Sequence, residues 1–255
     1  MSDQEVLVDV ADGVMTITLN RPKAKNAANK ALAEGVAAAI DELESNDELR
    51  VAIVTGAGGT FCSGMDLKAF VTGELPTVEG KGFAGLCEAT IGKPVIAAVE
   101  GYALAGGFEV AISCDLIVAA EDAKFGIPEV KRGLAAGAGG LVKLPKQIPS
   151  RIAMELALTG EFISAQRAYE LGLVNQVVSS GTALDAAKAL AAKIAANGPL
   201  AVAVSKRVVA AAQDWSTSEM FREQAKIIQP VFTSEDAIEG ATAFAEKRAP
   251  VWKGK

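Results

Sequence analysis

An α/β body followed by a helical C-terminal region is the fold class this chain predicts, and three observations predict it. Short runs of Val, Ile, Leu and Ala recur, several leading through a glycine-rich loop into a helical stretch. From Ser150 onward the pattern changes to successive helical periods, most of them opened by Ser, Thr or Pro. The composition fits both: of 255 residues half are hydrophobic but only 5% aromatic, so Ala, Val, Leu and Ile build the core, and 25 glycines supply tight turns.

Residues 6–10 and 14–19 straddle Asp12-Gly13, a strong hairpin signal between two β-rich runs, and Asn20-Arg21-Pro22 stops the second strand. Residues 29–43 place Leu32, Val36, Ala39, Ile40 and Leu43 on one helical face. Residues 51–54 form a short buried strand that enters Gly56-Ala57-Gly58-Gly59. Residues 95–99, after Lys93-Pro94, form another, joined by Gly101–Gly107 directly to a helix starting near Gly107; residues 116–119 form a third strand. Strand, glycine-rich loop, helix, strand implies right-handed crossovers. Helices are then expected at 150–158, 164–171, 182–196, 199–212, 218–228 and 234–247, with one strand at 174–178.

Bulk properties exclude several functions. The formal charge is −6 with no basic block, which disfavours a nucleic-acid partner. Cys62, Cys87 and Cys114 are widely spaced with no Cys-x-x-Cys, so they read as free thiols of a reducing compartment. With His 0 as well, no metal site is expected. The start Met1-Ser2-Asp3-Gln4-Glu5 is acidic, and uncharged stretches such as 134–142 fall far short of a membrane span, so a cytoplasmic protein is expected, with no membrane partner.

The glycine-rich loops compete for a ligand. Gly56-Ala57-Gly58-Gly59 lacks the third glycine of a dinucleotide fingerprint, and no helix begins there; no Gly-Lys-Ser/Thr phosphate loop occurs either. The Gly101–Gly107 loop is stronger, because small residues admit a ligand to the backbone and the first N–H groups of a helix have no partner. Ser63-Gly64-Met65-Asp66-Leu67, before another helix, offers a second N–H. Glu109 and Glu129 close two of these glycine-rich segments. An arbitrary glutamate is usually a solvated surface acid. Here the apolar company and the absence of histidine make both candidates for acid–base work on one substrate or water.

The ordered motifs resemble the crotonase (enoyl-CoA hydratase/isomerase) family nearly end to end. They are Asn20-Arg21-Pro22-Lys23-Ala24-Lys25-Asn26-Ala27, Phe61-Cys62-Ser63-Gly64-Met65-Asp66-Leu67, Lys93-Pro94-Val95, Gly106-Gly107-Phe108-Glu109, Phe125-Gly126-Ile127-Pro128-Glu129, Gly137-Ala138-Gly139-Gly140 and Phe244-Ala245-Glu246-Lys247-Arg248. The resemblance implies a crotonase-like spiral of ββα units over 1–195 and a C-terminal helical trimerisation region over 196–255. A homotrimer or a dimer of trimers goes with it. The implied substrate is an acyl-CoA thioester with no cofactor, coenzyme A entering as part of the substrate. The oxyanion hole maps onto the N–H groups of Met65 and Gly106. Contacts to CoA or substrate map onto Lys23, Ala24, Ser63, Asp66, Leu67 and Lys68, with Phe244 and Lys247 reaching a neighbour's nucleotide.

Members with both glutamates are hydratases, so the resemblance implies hydration of a trans-2-enoyl-CoA, with Glu109 as base and Glu129 protonating the α-carbon. An isomerase or a carnitinyl-CoA-type dehydratase of the same fold is the alternative, and a non-catalytic acyl-CoA-binding subunit is the alternative of another class. Two departures stand out. Ala105 replaces a family glycine, which reads as a mild change. Residues 69–92, which border the acyl chain in this family, match no pattern.

Overall fold

The computed structural model describes residues 4–255; Met1, Ser2 and Asp3 of the acidic start lie outside the described residues. The chain opens with a hairpin of β1 (Val6–Ala11) and β2 (Val14–Leu19) in register Ala11↔Val14. Asp12 and Gly13 take φ of 52° and 74°, the two positive values a two-residue turn of matching twist requires. Helix α1 (Lys30–Ser45) starts where the Asn29 side chain accepts the Leu32 N–H. It buries Leu32, Val36, Ala39, Ile40 and Leu43, the face its period prescribes. Each large side chain on that face contributes about 1.5–3 kcal/mol of burial.

The chain continues through β3 (Val51–Gly56), α2 (Leu67–Val71), the small hairpin β4 (Thr77–Val78) and β5 (Gly82–Phe83), then β6 (Val95–Val99). After these come β7 (Tyr102–Leu104), α3 (Gly106–Ser113), β8 (Leu116–Ala120), β9 (Lys124–Gly126), α4 (Gly140–Gln147) and α5 (Ser150–Thr159). The last elements are β10 (Ile163–Ser164), α6 (Ala165–Glu170), β11 (Gln176–Val178), α7 (Ala183–Ala195), α8 (Pro199–Ala212), α9 (Met220–Ile228) and α10 (Glu235–Glu246).

The main sheet has the order β1-β2-β3-β6-β8-β11, parallel except for the first hairpin. Successive residues of a strand face opposite sides, and both sides are covered here. Val51 and Ile53 of β3, with Ile96, Ala98 and Val118, meet Ala187 and Ala191 of α7. Ala52 and Val54 face the larger core with Leu32, Ile40, Phe108 and Phe125. A second, three-stranded sheet runs β10-β9-β7.

Three local expectations need correcting. The loop after β6 does not run straight into a helix: Tyr102–Leu104 forms β7, parallel to β9, a strand too short to show alternation. Helix α4 was hidden by the glycines before it and by Pro145 within it. Of the expected Ser and Thr caps, Ser164 and Ser234 accept the Arg167 and Ala237 N–H groups, but Ser150 and Thr182 do not cap. The start of α7 is held from afar instead, by the Glu100 carboxylate, which accepts from Gly181 and Ala183 at 2.9 Å each.

Helices α7 and α8 meet at an angle of 109°. Beyond the bend, Lys206 Nζ lies 2.7 Å from Asp115 and donates to the Lys93 carbonyl, while Trp252 Nε1 donates to Ala196 O. The C-terminal helices still leave Phe221, Phe232, Ile238 and Phe244 exposed. Among the described residues no single helix is long and apolar enough to cross a membrane.

Candidate active site

Two loops are pinned together by short backbone bonds. Cys62 N–H donates to Tyr102 O (2.9 Å) and Leu104 N–H donates to Cys62 O (3.0 Å), a parallel bridge. On the other side Ala28 N–H donates to Gly64 O and Asp66 N–H to Ala28 O. Those bonds use the groups flanking Met65, so its own N–H points away from the bridge. Gly64, at φ 104°, faces Gly106 closely: a Cβ there would lie 3.2 Å from the Gly106 nitrogen. Gly106 is the first residue of α3, where an N–H has no intrahelical acceptor. The Met65 and Gly106 donors thus sit on adjoining segments at the edge of one cavity.

The turn before Gly106 is strained, though not at the glycine. Ala105 takes φ 51° and ψ −130°, a region glycine enters readily and alanine does not. The cost is on the order of 1–3 kcal/mol, so the glycine-to-alanine departure is not mild. Gly106 itself has no positive φ; what demands glycine there is the ring of Phe83, which an added Cβ would approach to 2.4 Å.

The cavity has a volume of about 630 Å³ and is lined by Ser63, Met65, Leu67, Gly106, Glu109 and Glu129 among the residues singled out from sequence. Glu109 is only 3% exposed. Its Oε1 accepts the Ala138 N–H (2.7 Å) and the Gly140 N–H (2.8 Å), and the residue lines the cavity. Burial raises its pKa, while those two donors and the charge of Lys143 hold it back. Glu129 sits on the tight turn Pro128–Arg132, and its Oε2 is buried with no hydrogen-bond partner among the described residues. Burial, opposed by its own backbone N–H, and then the nearby Glu109 charge push it up to about 7.

Other expected positions lie elsewhere. Asp66 does not line the cavity: its carboxylate caps α2 through the Lys68 and Ala69 N–H groups and pairs with Arg21 at 2.9 Å. Burial pushes the Asp66 carboxyl up, but those bonds outweigh it and the pKa falls. Lys23, Ala24 and Lys68 lie outside the cavity lining as well. Phe244, 88% exposed, and Lys247 belong to the far end of α10 and take no part in this chain's own cavity.

Sequence reasoning missed Lys25, Phe83, Tyr102 and Arg132, all of which line it. Lys25 stood inside a quoted motif, and its Nζ lies 5.4 Å from the Tyr102 ring centroid. Phe83 belongs to the stretch that matched no pattern. The three cysteines are buried and unpaired, and burial pushes Cys62 to about 11 and Cys87 to about 12, far from nucleophilic use. Among the described residues no cluster of three or more His, Cys, Asp or Glu could hold a metal ion.

The family described as Enoyl-CoA hydratase/isomerase matches residues 9–255. A carnitinyl-CoA dehydratase of Salmonella typhi is 44% identical over 250 residues, covering 95% of each chain. The crystal structure of an enoyl-CoA hydratase from Mycobacterium tuberculosis superposes with a TM-score of 0.97 at 61% identity, over 99% of this chain and 100% of that one. That of a carnitinyl-CoA hydratase from Mycobacterium avium superposes with a TM-score of 0.79 at 44% identity, over 100% of both. The fold, the paired loops and the matched length agree: the chain is an enzyme of the enoyl-CoA hydratase/isomerase, or crotonase, family.

Proposed function

We propose that this chain adds water across the 2,3 double bond of a trans-2-enoyl-CoA, giving the 3-hydroxyacyl-CoA, or runs the reverse dehydration. The single observation that carries the proposal is the pairing of two unlike carboxyls, Glu109 and Glu129, in one cavity with two adjacent backbone donors. The thioester oxygen would accept from Met65 and Gly106 N–H. One such donor contributes ~3 kcal/mol to a transition state in which charge collects on that oxygen. Glu109, acting as a carboxylate and clamped by its two N–H donors, would take a proton from water as the water oxygen bonds to C3. The π electrons move toward the thioester, and the enolate collapses as Glu129, protonated near neutral pH, gives its proton to C2. Solvent exchange then resets the pair. No electron is gained or lost, and coenzyme A acts only as the carrier.

Around that chemistry, Ser63, Leu67 and Met65 would border the acyl thioester. Lys23, Ala24, Asp66 and Lys68 would lie along the CoA arm at the cavity mouth. Phe244 and Lys247 would reach a neighbour's CoA in a homotrimer or dimer of trimers built on residues 196–255. The exposed Phe221, Phe232 and Ile238 support that assembly. The unpaired, buried cysteines support a cytoplasmic setting.

A second reading, dehydration of a carnitinyl-CoA-type substrate, is favoured by the 44% identity to carnitinyl-CoA dehydratases. The buried, unpartnered oxygen of Glu129 argues against a mere binder, which has no use for a strained acid. Crotonyl-CoA hydration, followed by loss of the conjugated-thioester absorbance, tests the first reading. Turnover of crotonyl-CoA and short straight-chain homologues is expected. Turnover confined to trimethylammonium-bearing acyl-CoA would replace it with the second.

A further inference from the structure

Helix α4 carries two lysines with opposite fates. Lys146 reaches solvent and pairs with Asp214, an exposed ion pair of small worth. Lys143, one turn into the helix, turns inward instead. Its Nζ donates to Cys87 O at 2.5 Å and to Ser113 Oγ at 2.8 Å. Ser113 Oγ in turn donates to the carbonyl oxygen of Glu109 at 2.7 Å, one turn earlier on α3. At the other end of Lys143, its N–H donates to Gly139 O at 2.7 Å, and its stem lies against Gly139. Gly139 stands between Ala138 and Gly140, whose N–H groups hold Glu109 Oε1. One side chain therefore links the helix that bears Glu109 to the helix start that clamps its carboxylate. Besides that clamp, Gln147 donates to Ile112 O at the far end of α4.

We infer that Lys143 is a positioning residue for Glu109, fixing the N-terminus of α4 against α3 through Ser113 and Cys87. Water activation needs the Glu109 carboxylate aimed within a few tenths of an ångström, and a misplacement of about 1 Å can cost ~10²-fold in rate. The inference rests on the hydration reading for what Glu109 does, not for how it is held. The charge of Lys143 adds to the geometry, since it favours the ionised form of Glu109 against burial. The other titratable groups around Glu109 are Glu129 from the turn after β9 and Cys87 from the segment before β6. Lys25 and Arg132 also line the cavity, but Lys143 is the cation whose charge bears on Glu109.

The test compares Lys143→Met, Lys143→Arg and Ser113→Ala with the wild-type enzyme, reading kcat and KM for crotonyl-CoA across pH alongside thermal melts. Lys143→Met should lower kcat roughly 10-fold or more with little change in KM. It should also move the acidic limb of the profile upward by about half a pH unit or more, because loss of a cation raises a neighbouring carboxyl's pKa. Lys143→Arg should recover most of both. Ser113→Ala should lower kcat by roughly threefold or more with the limb in place, since the cation remains. A folded Lys143→Met enzyme with an unmoved acidic limb overturns the inference even if its rate is reduced, because a purely structural loss would do the same. Should Lys143→Met fail to fold, wild-type kcat in Ser113→Ala overturns it.

A wild-type enzyme without hydratase activity would sink the hydration reading instead. The inference would then be read without turnover, by ¹³C NMR titration of the Glu109 carboxyl assigned with Glu109→Gln. A midpoint that rises in Lys143→Met supports it, and an unchanged midpoint removes it.

Discussion

Glu109 and Glu129 face the same cavity from unlike supports. Glu109 rides on a regular helix, its Oε1 fixed by two backbone donors and a lysine nearby. Glu129 rides on a short turn opened by Pro128, with one oxygen sealed from water and offered nothing in exchange. An acceptor that receives N–H groups is stabilised as an anion; an oxygen buried without donors is stabilised as the acid. Burial raises both carboxyls, but only Glu109 has backbone donors from another segment that oppose the rise. On the hydration reading, this favours the clamped carboxyl as the base and the unsatisfied one as the acid. The Glu109 charge also raises the Glu129 pKa, which couples the two acids.

The largest expected effect comes from breaking either side of that pair. Glu109→Gln and Glu129→Gln should each lower kcat by about 10²–10⁴-fold while leaving a folded enzyme that binds acyl-CoA. If both act on one water, the double mutant should be barely worse than either single. Multiplicative losses in steady-state kinetics would show that the two acids work independently and would dissolve the comparison.

Removing what the two acids share comes next. Gly106→Pro deletes the donor N–H at the first position of a helix, where proline's missing N–H costs the backbone nothing. A loss of about 10²-fold in kcat is expected, with acyl-CoA affinity reduced far less, because the bond strengthens as the enolate forms. Gly106→Ala should also suffer, since its Cβ must displace the Phe83 ring. Full turnover in both variants, with circular dichroism confirming the fold, would move the thioester oxygen away from Gly106.

A pH experiment sharpens the contrast at smaller scale. Glu129 must be protonated to act as acid in hydration, so kcat/KM should fall about tenfold per unit above pH 7, where its carboxyl ionises. Stability carries the same signature. A carboxyl whose folded value is raised from 4.5 to about 7 favours the folded state while protonated. That contribution is complete below 4.5 and disappears as pH rises through 7. Glu129→Gln should therefore melt close to wild type at pH 5 and a few degrees above it at pH 8. Equal melting temperatures at both pH values would mean that Glu129 is not held in a destabilising site.

The sequence showed the skeleton of this comparison but not its cause. The main strands, α1, both glutamates and the two donor loops could all be read from periodicity, glycine spacing and family motifs. The clamp on Glu109 could not, because it is made by backbone N–H groups at Ala138 and Gly140, whose residue types reveal nothing about where their amides point. The Glu100 cap of α7 escaped for a similar reason, since it joins groups far apart in the chain. Phe83 escaped because residues around it form only a two-residue strand and irregular turns. Asp66 shows the converse, a polar motif residue whose carboxylate also caps its own helix.

Ala105 supplies the smallest and most local prediction. It precedes α3 and so belongs to the support of Glu109 and of the Gly106 donor together, whereas the turn bearing Glu129 holds no non-glycine residue at positive φ. Replacing it by glycine removes strain of roughly 1–3 kcal/mol. The same change gives the unfolded chain more freedom to lose, at a cost of about 0.5–1 kcal/mol. The difference favours the variant by about 1 kcal/mol, which for a chain of this size corresponds to a melting temperature higher by about 2–4 °C. The Ala105 N–H bond to Gly126 O, 2.9 Å long, uses only backbone and survives the substitution, so the loop keeps its anchor. Activity should change by less than about threefold, since the donor amide of Gly106 is untouched. Calorimetry on Ala105→Gly checks this directly. A variant that melts several degrees below wild type would show that the methyl group packs more favourably than its backbone is strained, and that the turn feeding the donor carries no stored energy.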